Sequence, residues 1–80
     1  MTIPNSIEII DLKQLGNILK QRRKLLGVTQ EQAAALCNVG PRFIGEMERG
    51  KQTAEIGKFL QVLRGYGFQL SLNTRELKSK

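Results

Sequence analysis

The chain has no histidine and a single cysteine, Cys37. One thiol forms no internal disulfide, and a chain without histidine has no Cys/His zinc set. The commonest general base and the usual nucleophile arrangements are therefore missing. An enzyme is the least favoured class, with only acids and lysines formally available. No catalytic residue, metal ligand or cofactor is expected, and Cys37 itself reads as a small buried apolar residue. No stretch approaches the roughly eighteen apolar residues of a membrane span. The opening MTIPNSIEII puts no basic segment ahead of its apolar residues, so no secretory signal is expected and the location should be cytoplasmic.

What the chain has is positive charge. Thirteen Lys/Arg against seven Asp/Glu give +6 over 80 residues. Ten of the basic and five of the acidic residues lie between Asp11 and Tyr66, so the folded body carries the excess. Such a balance suits a polyanionic partner, and it would equally serve solubility. A chain this short makes one domain and buries only about 60% of its unfolded surface. Without disulfides or metal, its stability must come from close helix packing or from a second copy.

The first ten residues form an arm or a short strand, since Ile7 and Ile9 alternate with polar neighbours after Pro4 and Asn5. A first helix starts at Asp11, whose carboxylate can cap the first turn, with Gln14 placed to complete a capping box. Leu12, Leu15, Leu19 and Leu26 share its apolar face, and Gly27 ends it, with Val28 folding back. Thr29 and Gln32 frame a second capping box. Behind it, Ala33, Ala34 and Cys37 make a narrow face of small side chains that implies a close neighbouring helix. Asn38-Val39-Gly40 is a tight turn, and Pro41 suits the first turn of a third helix running to Arg49. On that helix Ile44 and Met47, with Phe43 as a third candidate, should face the core, while Arg42, Gly45, Glu46 and Arg49 should face out. Thr53 is the expected cap of a fourth helix with apolar positions Ile56, Phe59, Leu60, Leu63 and Tyr66, closed by Gly67. Phe68 to Leu72 alternates strictly and reads as a strand. The expected divisions are thus an arm (1–10), a helical domain (11–67), a strand (68–73) and a flexible tail (74–80).

The pair of short helices from Gln30 to Glu48 carries the functional signal. A helix fits the major groove of DNA when a preceding helix anchors its inner face and its N-terminal residues are free to reach base edges. Arg42, in the first turn, is the main candidate reader of a guanine. Gln30, Arg23, Arg49 and Lys51 are candidates to clamp phosphates, contacts that position without selecting sequence. The bland readings are as concrete: many short helix pairs bind no nucleic acid, Arg42 alone can be a solvated arginine, and Glu48 can form an internal ion pair. Glu46 would oppose phosphates.

The residues Thr29-Gln30-Glu31-Gln32-Ala33-Ala34, Val39, Ile44 and Glu48-Arg49-Gly50-Lys51 resemble the Cro/phage-repressor (Xre-type) helix-turn-helix family. The resemblance runs from Leu15 to about Gly67. It implies a mainly α, four- to five-helix lambda-repressor-like domain. It also implies DNA base or groove contacts at Gln30, Gly40, Arg42, Phe43, Gly45 and Glu46, and phosphate contacts at Arg49 and Lys51. Asn38, Gly40 and Pro41 depart from the family pattern. The last two remove polar side chains from the opening of the reading helix and shift weight to Arg42 or to DNA shape.

A domain of this kind followed directly by Gly67-Phe68-Gln69-Leu70-Ser71-Leu72 looks like the HipB antitoxins. There the C-terminal strand pairs with its twin, and the dimer represses its own operon and binds the HipA serine/threonine kinase toxin. The likeness implies dimerisation through Phe68, Leu70 and Leu72 and an operator with two half-sites. A lone five-residue strand is not stable by itself, so Phe68 to Leu72 pairs with Ser6 to Ile10, with a second chain, or with both. The expectation is a bacterial, nucleoid-associated repressor, with repression as the mode because the chain shows no separate activation or sensor domain. A stand-alone Xre-type regulator and a protein-binding antitoxin module with weak DNA affinity are the alternatives.

Overall fold

The computed structural model describes residues 6–74. It contains four helices, α1 (Leu12–Leu26), α2 (Gln30–Cys37), α3 (Pro41–Glu48) and α4 (Ile56–Gly65). The first five residues of the expected arm and the tail from 75 onward lie outside the described residues.

Local chemistry sets most of the helix ends. The Asp11 carboxylate accepts from the Gln14 amide at 2.8 Å. The Gln14 side chain accepts from Ile10 N–H at 2.6 Å and donates to the Glu8 carbonyl at 3.1 Å, which ties residues 8–10 back onto the helix instead of into a strand. Gly27 closes α1 in the left-handed region (φ 75°), and the Val28 amide reaches back to the Arg23 carbonyl. Thr29 and Gln32 form the reciprocal capping box of α2. Asn38 ends α2 with φ 59°, a conformation its short polar side chain tolerates.

The core gathers Leu19, Ala33, Ala34, Cys37, Ile44, Met47, Val62, Leu63 and Tyr66. α3 lies against both α1 and α2, and α2 also packs on α4. Small residues set the two tightest crossings. A Cβ on Gly16 would lie 2.5 Å from the Met47 carbonyl oxygen and 2.6 Å from that of Glu48, so α1 rests on the backbone at the end of α3. A Cβ on Gly65 would lie 2.5 Å from Cys37 Sγ. The narrow face of α2 is thus the close-approach face that its small side chains imply.

Three expectations are corrected. Thr53 caps nothing: the N-cap of α4 is Glu55, without a side-chain cap bond. After Gly50 (φ 79°), whose backbone abuts Lys13, residues 51–54 run beside Leu12 and Leu15 before the helix can begin. Ile56, in the first turn of α4, is exposed, while Val62 joins the expected Leu63 and Tyr66 in the core, with Phe59 and Leu60 packed against it. Leu26 is also exposed, since the last turn of α1 extends past the core. Finally, within the single chain neither Ser6–Ile10 nor Phe68–Leu72 forms a strand among the described residues, so the two do not pair with each other there. A strand needs a ladder partner, and the described residues of one chain bring no second edge to Phe68–Leu72.

Candidate nucleic-acid interface

The helix-turn-helix presents the N-termini of α2 and α3 side by side. An open concavity of about 470 Å³ between them is lined by Arg23, Thr29, Gln30, Glu31, Pro41 and Arg42. At the mouth of α3, Gly40 brings no side-chain cap and Pro41 no amide hydrogen. The exposed end of that helix therefore carries little bulk, and its dipole favours a negative group. The α2 end differs, because its capping box already uses the Gln32 amide and Glu31 sits in its first turn.

A buried carboxylate locks the two helices together. Glu48, 5% exposed, accepts from Arg23 Nε at 2.6 Å and Arg23 Nη2 at 3.2 Å. Gln30 Nε2 donates to the same carboxylate at 3.0 Å. Arg23 also donates to the Val28 carbonyl at 2.9 Å. The hydrogen bonds from Arg23 to Glu48 hold its guanidinium above its ordinary value, against the opposing effect of burial. One carboxylate thus joins α1, α2 and α3, and breaking such a pair on one side leaves an uncompensated charge.

That geometry places the expected site residues unequally. Arg23 is committed within the protein, which argues against the phosphate contact expected of it. Gly45, expected to face out, is buried: Gln30 Oε1 and Arg49 Nη1 come within 3.5 and 3.3 Å of where its Cβ would stand. Phe43 is half-buried and leans on the core, whereas Gly40 faces open space. Glu48 pairs with Arg23, not with the neighbouring Arg42 or Arg49. Arg42 is 89% exposed at the start of α3. Glu46, 18% exposed, accepts from Arg42 Nε at 3.2 Å and pairs with Lys51 Nζ at 3.3 Å. The hydrogen bond from Lys51 is the main reason its carboxyl sits below the usual carboxylate range. The hub role of Glu48 has no local signal in the sequence, because its partner Arg23 lies 25 residues away.

The family model described as Helix-turn-helix matches residues 19–72, which span all of α2, α3 and α4. The chain belongs to the Xre-type helix-turn-helix family of transcriptional regulators. Over 58 residues it is 40% identical to an uncharacterized HTH-type transcriptional regulator, y4mF, of Sinorhizobium fredii, covering 72% of this chain and 76% of that protein. In shape it resembles a chain of the HipA-HipB-O2-O3 complex, with TM-score 0.77 and 21% identity over 89% of this chain and 100% of the other. It also resembles the restriction-modification controller protein C.AhdI of Aeromonas hydrophila, with TM-score 0.65 and 25% identity over 74% and 86% of the two chains. The likeness at 21% identity shows the fold, and among the described residues no helix is long and apolar enough to cross a membrane.

Proposed function

We propose that this regulator is a sequence-specific double-stranded DNA-binding repressor that acts as a homodimer on an operator with two half-sites. The observation that carries the reading is α3: anchored inward by Ile44 and Met47, it offers a bare N-terminus with Arg42 projecting into solvent. An arginine in that position suits bidentate bonding to guanine O6 and N7. Gln30 and the exposed Gly40 flank it, and Arg49 and Lys51 supply positive charge for phosphates. Gly45 and Phe43 act as spacers in this reading, and Arg23 as a strut. Dimerisation is assigned to Phe68, Leu70 and Leu72, of which Leu70 and Leu72 are exposed in the single chain.

Selection of bound duplexes from a random pool by the purified protein tests the reading. A preferred sequence with two half-sites about one helical turn apart is expected. Affinity should fall steeply with salt. Arg42→Ala should reduce discrimination at one base pair by about 1–3 kcal/mol. Enrichment of no sequence would refute specific recognition.

A finer reading makes the protein an antitoxin that represses its own operon and holds a HipA-like serine/threonine kinase. Its support is the Gly67–Leu72 pattern together with a fold likeness that spans the whole compared HipB-complex chain. Co-expression with the product of the adjacent gene should then yield a stable complex with a kinase. A neighbour of any other kind returns the protein to a stand-alone regulator.

A further inference from the structure

Glu46 is an acidic residue on a surface that is to meet a polyanion. Its placement gives it a use. Its backbone carbonyl accepts from the Lys51 amide at 3.0 Å, and its carboxylate pairs with Lys51 Nζ, so the loop after α3 holds it from two sides. Lys51 also offsets its charge. From this seat the carboxylate takes only the Nε hydrogen of Arg42, one turn away along α3. The two Nη groups make no hydrogen bond among the described residues, on a side chain that is almost wholly exposed.

We propose that Glu46 is a positioning residue for sequence recognition: it engages Nε of Arg42 so that the Nη1/Nη2 edge is the one presented to guanine. This rests on Arg42 being a base reader, as put forward above. An unrestrained arginine can offer either its Nε/Nη2 side or its Nη1/Nη2 end and must lose rotamer freedom on binding. Holding Nε selects the end and orders the side chain beforehand. The negative charge is tolerated because Lys51 sits against it. The alternative role for Glu46 is plain repulsion of phosphates, which would weaken every duplex alike.

The experiment measures dissociation constants of the full-length protein for its selected duplex, for single base-pair variants of that duplex and for an unrelated duplex. Wild type, Arg42→Ala, Glu46→Gln, Lys51→Gln and the Arg42→Ala/Glu46→Gln double variant are compared, each first checked for an unchanged melting profile. Arg42→Ala locates the base pair that Arg42 reads. At that pair alone, Glu46→Gln should lower discrimination at least about twofold, the worth of an exposed i,i+4 ion pair. The loss should grow toward tenfold as water is excluded at the base edge. The double variant should be no less discriminating than Arg42→Ala. Lys51→Gln should weaken all duplexes together and flatten the salt dependence by about 0.9 in the log–log slope, and, because Lys51 also holds the carboxylate, lower discrimination at the Arg42 pair by no more than Glu46→Gln does. Uniform tightening of all duplexes by Glu46→Gln, with discrimination intact, overturns the proposal while leaving DNA recognition standing. A wild-type protein that prefers no duplex, or an Arg42→Ala variant that loses no preference, overturns the Arg42 reading and this proposal with it.

Discussion

Tyr66 shows how much one buried polar atom can decide. Its ring is in the core, yet its hydroxyl has no hydrogen-bond partner among the described residues. Burial, with the Glu48 carboxylate adding to it, pushes the phenol up to about 12 from an ordinary value near 10. The folded chain therefore holds the proton more tightly than the unfolded chain does. Below about pH 10 both states are protonated and the stability is fully present. Between about pH 10 and 12 the unfolded state sheds a proton that the folded state keeps, and up to about 2–3 kcal/mol is lost. Tyr66→Phe should remove that part of the alkaline decline. At neutral pH it should be neutral or stabilising by up to about 1 kcal/mol, because an unpaired hydroxyl returns nothing for its desolvation. Urea unfolding of both proteins at pH 7, 9 and 11 checks this. Marked destabilisation of the phenylalanine variant at pH 7 would mean that the hydroxyl has a partner after all.

At the scale of elements, the contact between α2 and α4 depends on Cys37 meeting Gly65. Alanine at position 65 would gain about 1 kcal/mol of helix propensity in open solvent. Here its Cβ would stand 2.5 Å from Cys37 Sγ, so Gly65→Ala should instead destabilise by about 1–3 kcal/mol as the helices shift apart. In a Cys37→Ala background the nearest atom is the Cβ at 3.5 Å, an ordinary contact. There the same change should be neutral or stabilising. A double-mutant cycle on thermal unfolding should thus give a coupling of about 2 kcal/mol, and additive effects would place the helices further apart than described. The caps at Asp11, Thr29, Gly27 and Asn38 were legible because each is a bond within a few residues. The late start of α4 was not, since it depends on Gly50 crossing the start of α1.

For the whole molecule, the exposed apolar residues of the C-terminal segment set the question of assembly. Arg22 anchors the start of that segment: its Nε donates to the Tyr66 carbonyl at 2.8 Å, and its guanidinium lies 5.5 Å over the Phe68 ring. Beyond it Leu70 is half out of contact and Leu72 is 94% exposed. A paired strand would cover both and satisfy the backbone of each copy. The Leu70→Asp/Leu72→Asp double variant should sediment as a monomer with its helical circular dichroism retained. Its melting temperature should lose any dependence on protein concentration, and it should bind a two-half-site duplex more weakly than wild type. A double variant that stays dimeric would move the interface elsewhere on the surface.

The helix-turn-helix between Gln30 and Glu48 was determined by the sequence itself, through apolar spacing, caps, turn residues and a family pattern, all of them signals a few residues long. So was the bare opening of α3 with Arg42 on it. Only the tertiary structure decided that Arg23 is a strut under Glu48, that Gln30 covers Gly45 and that Glu46 stands between Arg42 and Lys51. Those assignments join α1, α2, α3 and the loop after α3. Whether a charged side chain faces solvent, a phosphate or a buried partner depends on distances between such segments, and helical periodicity carries no record of them.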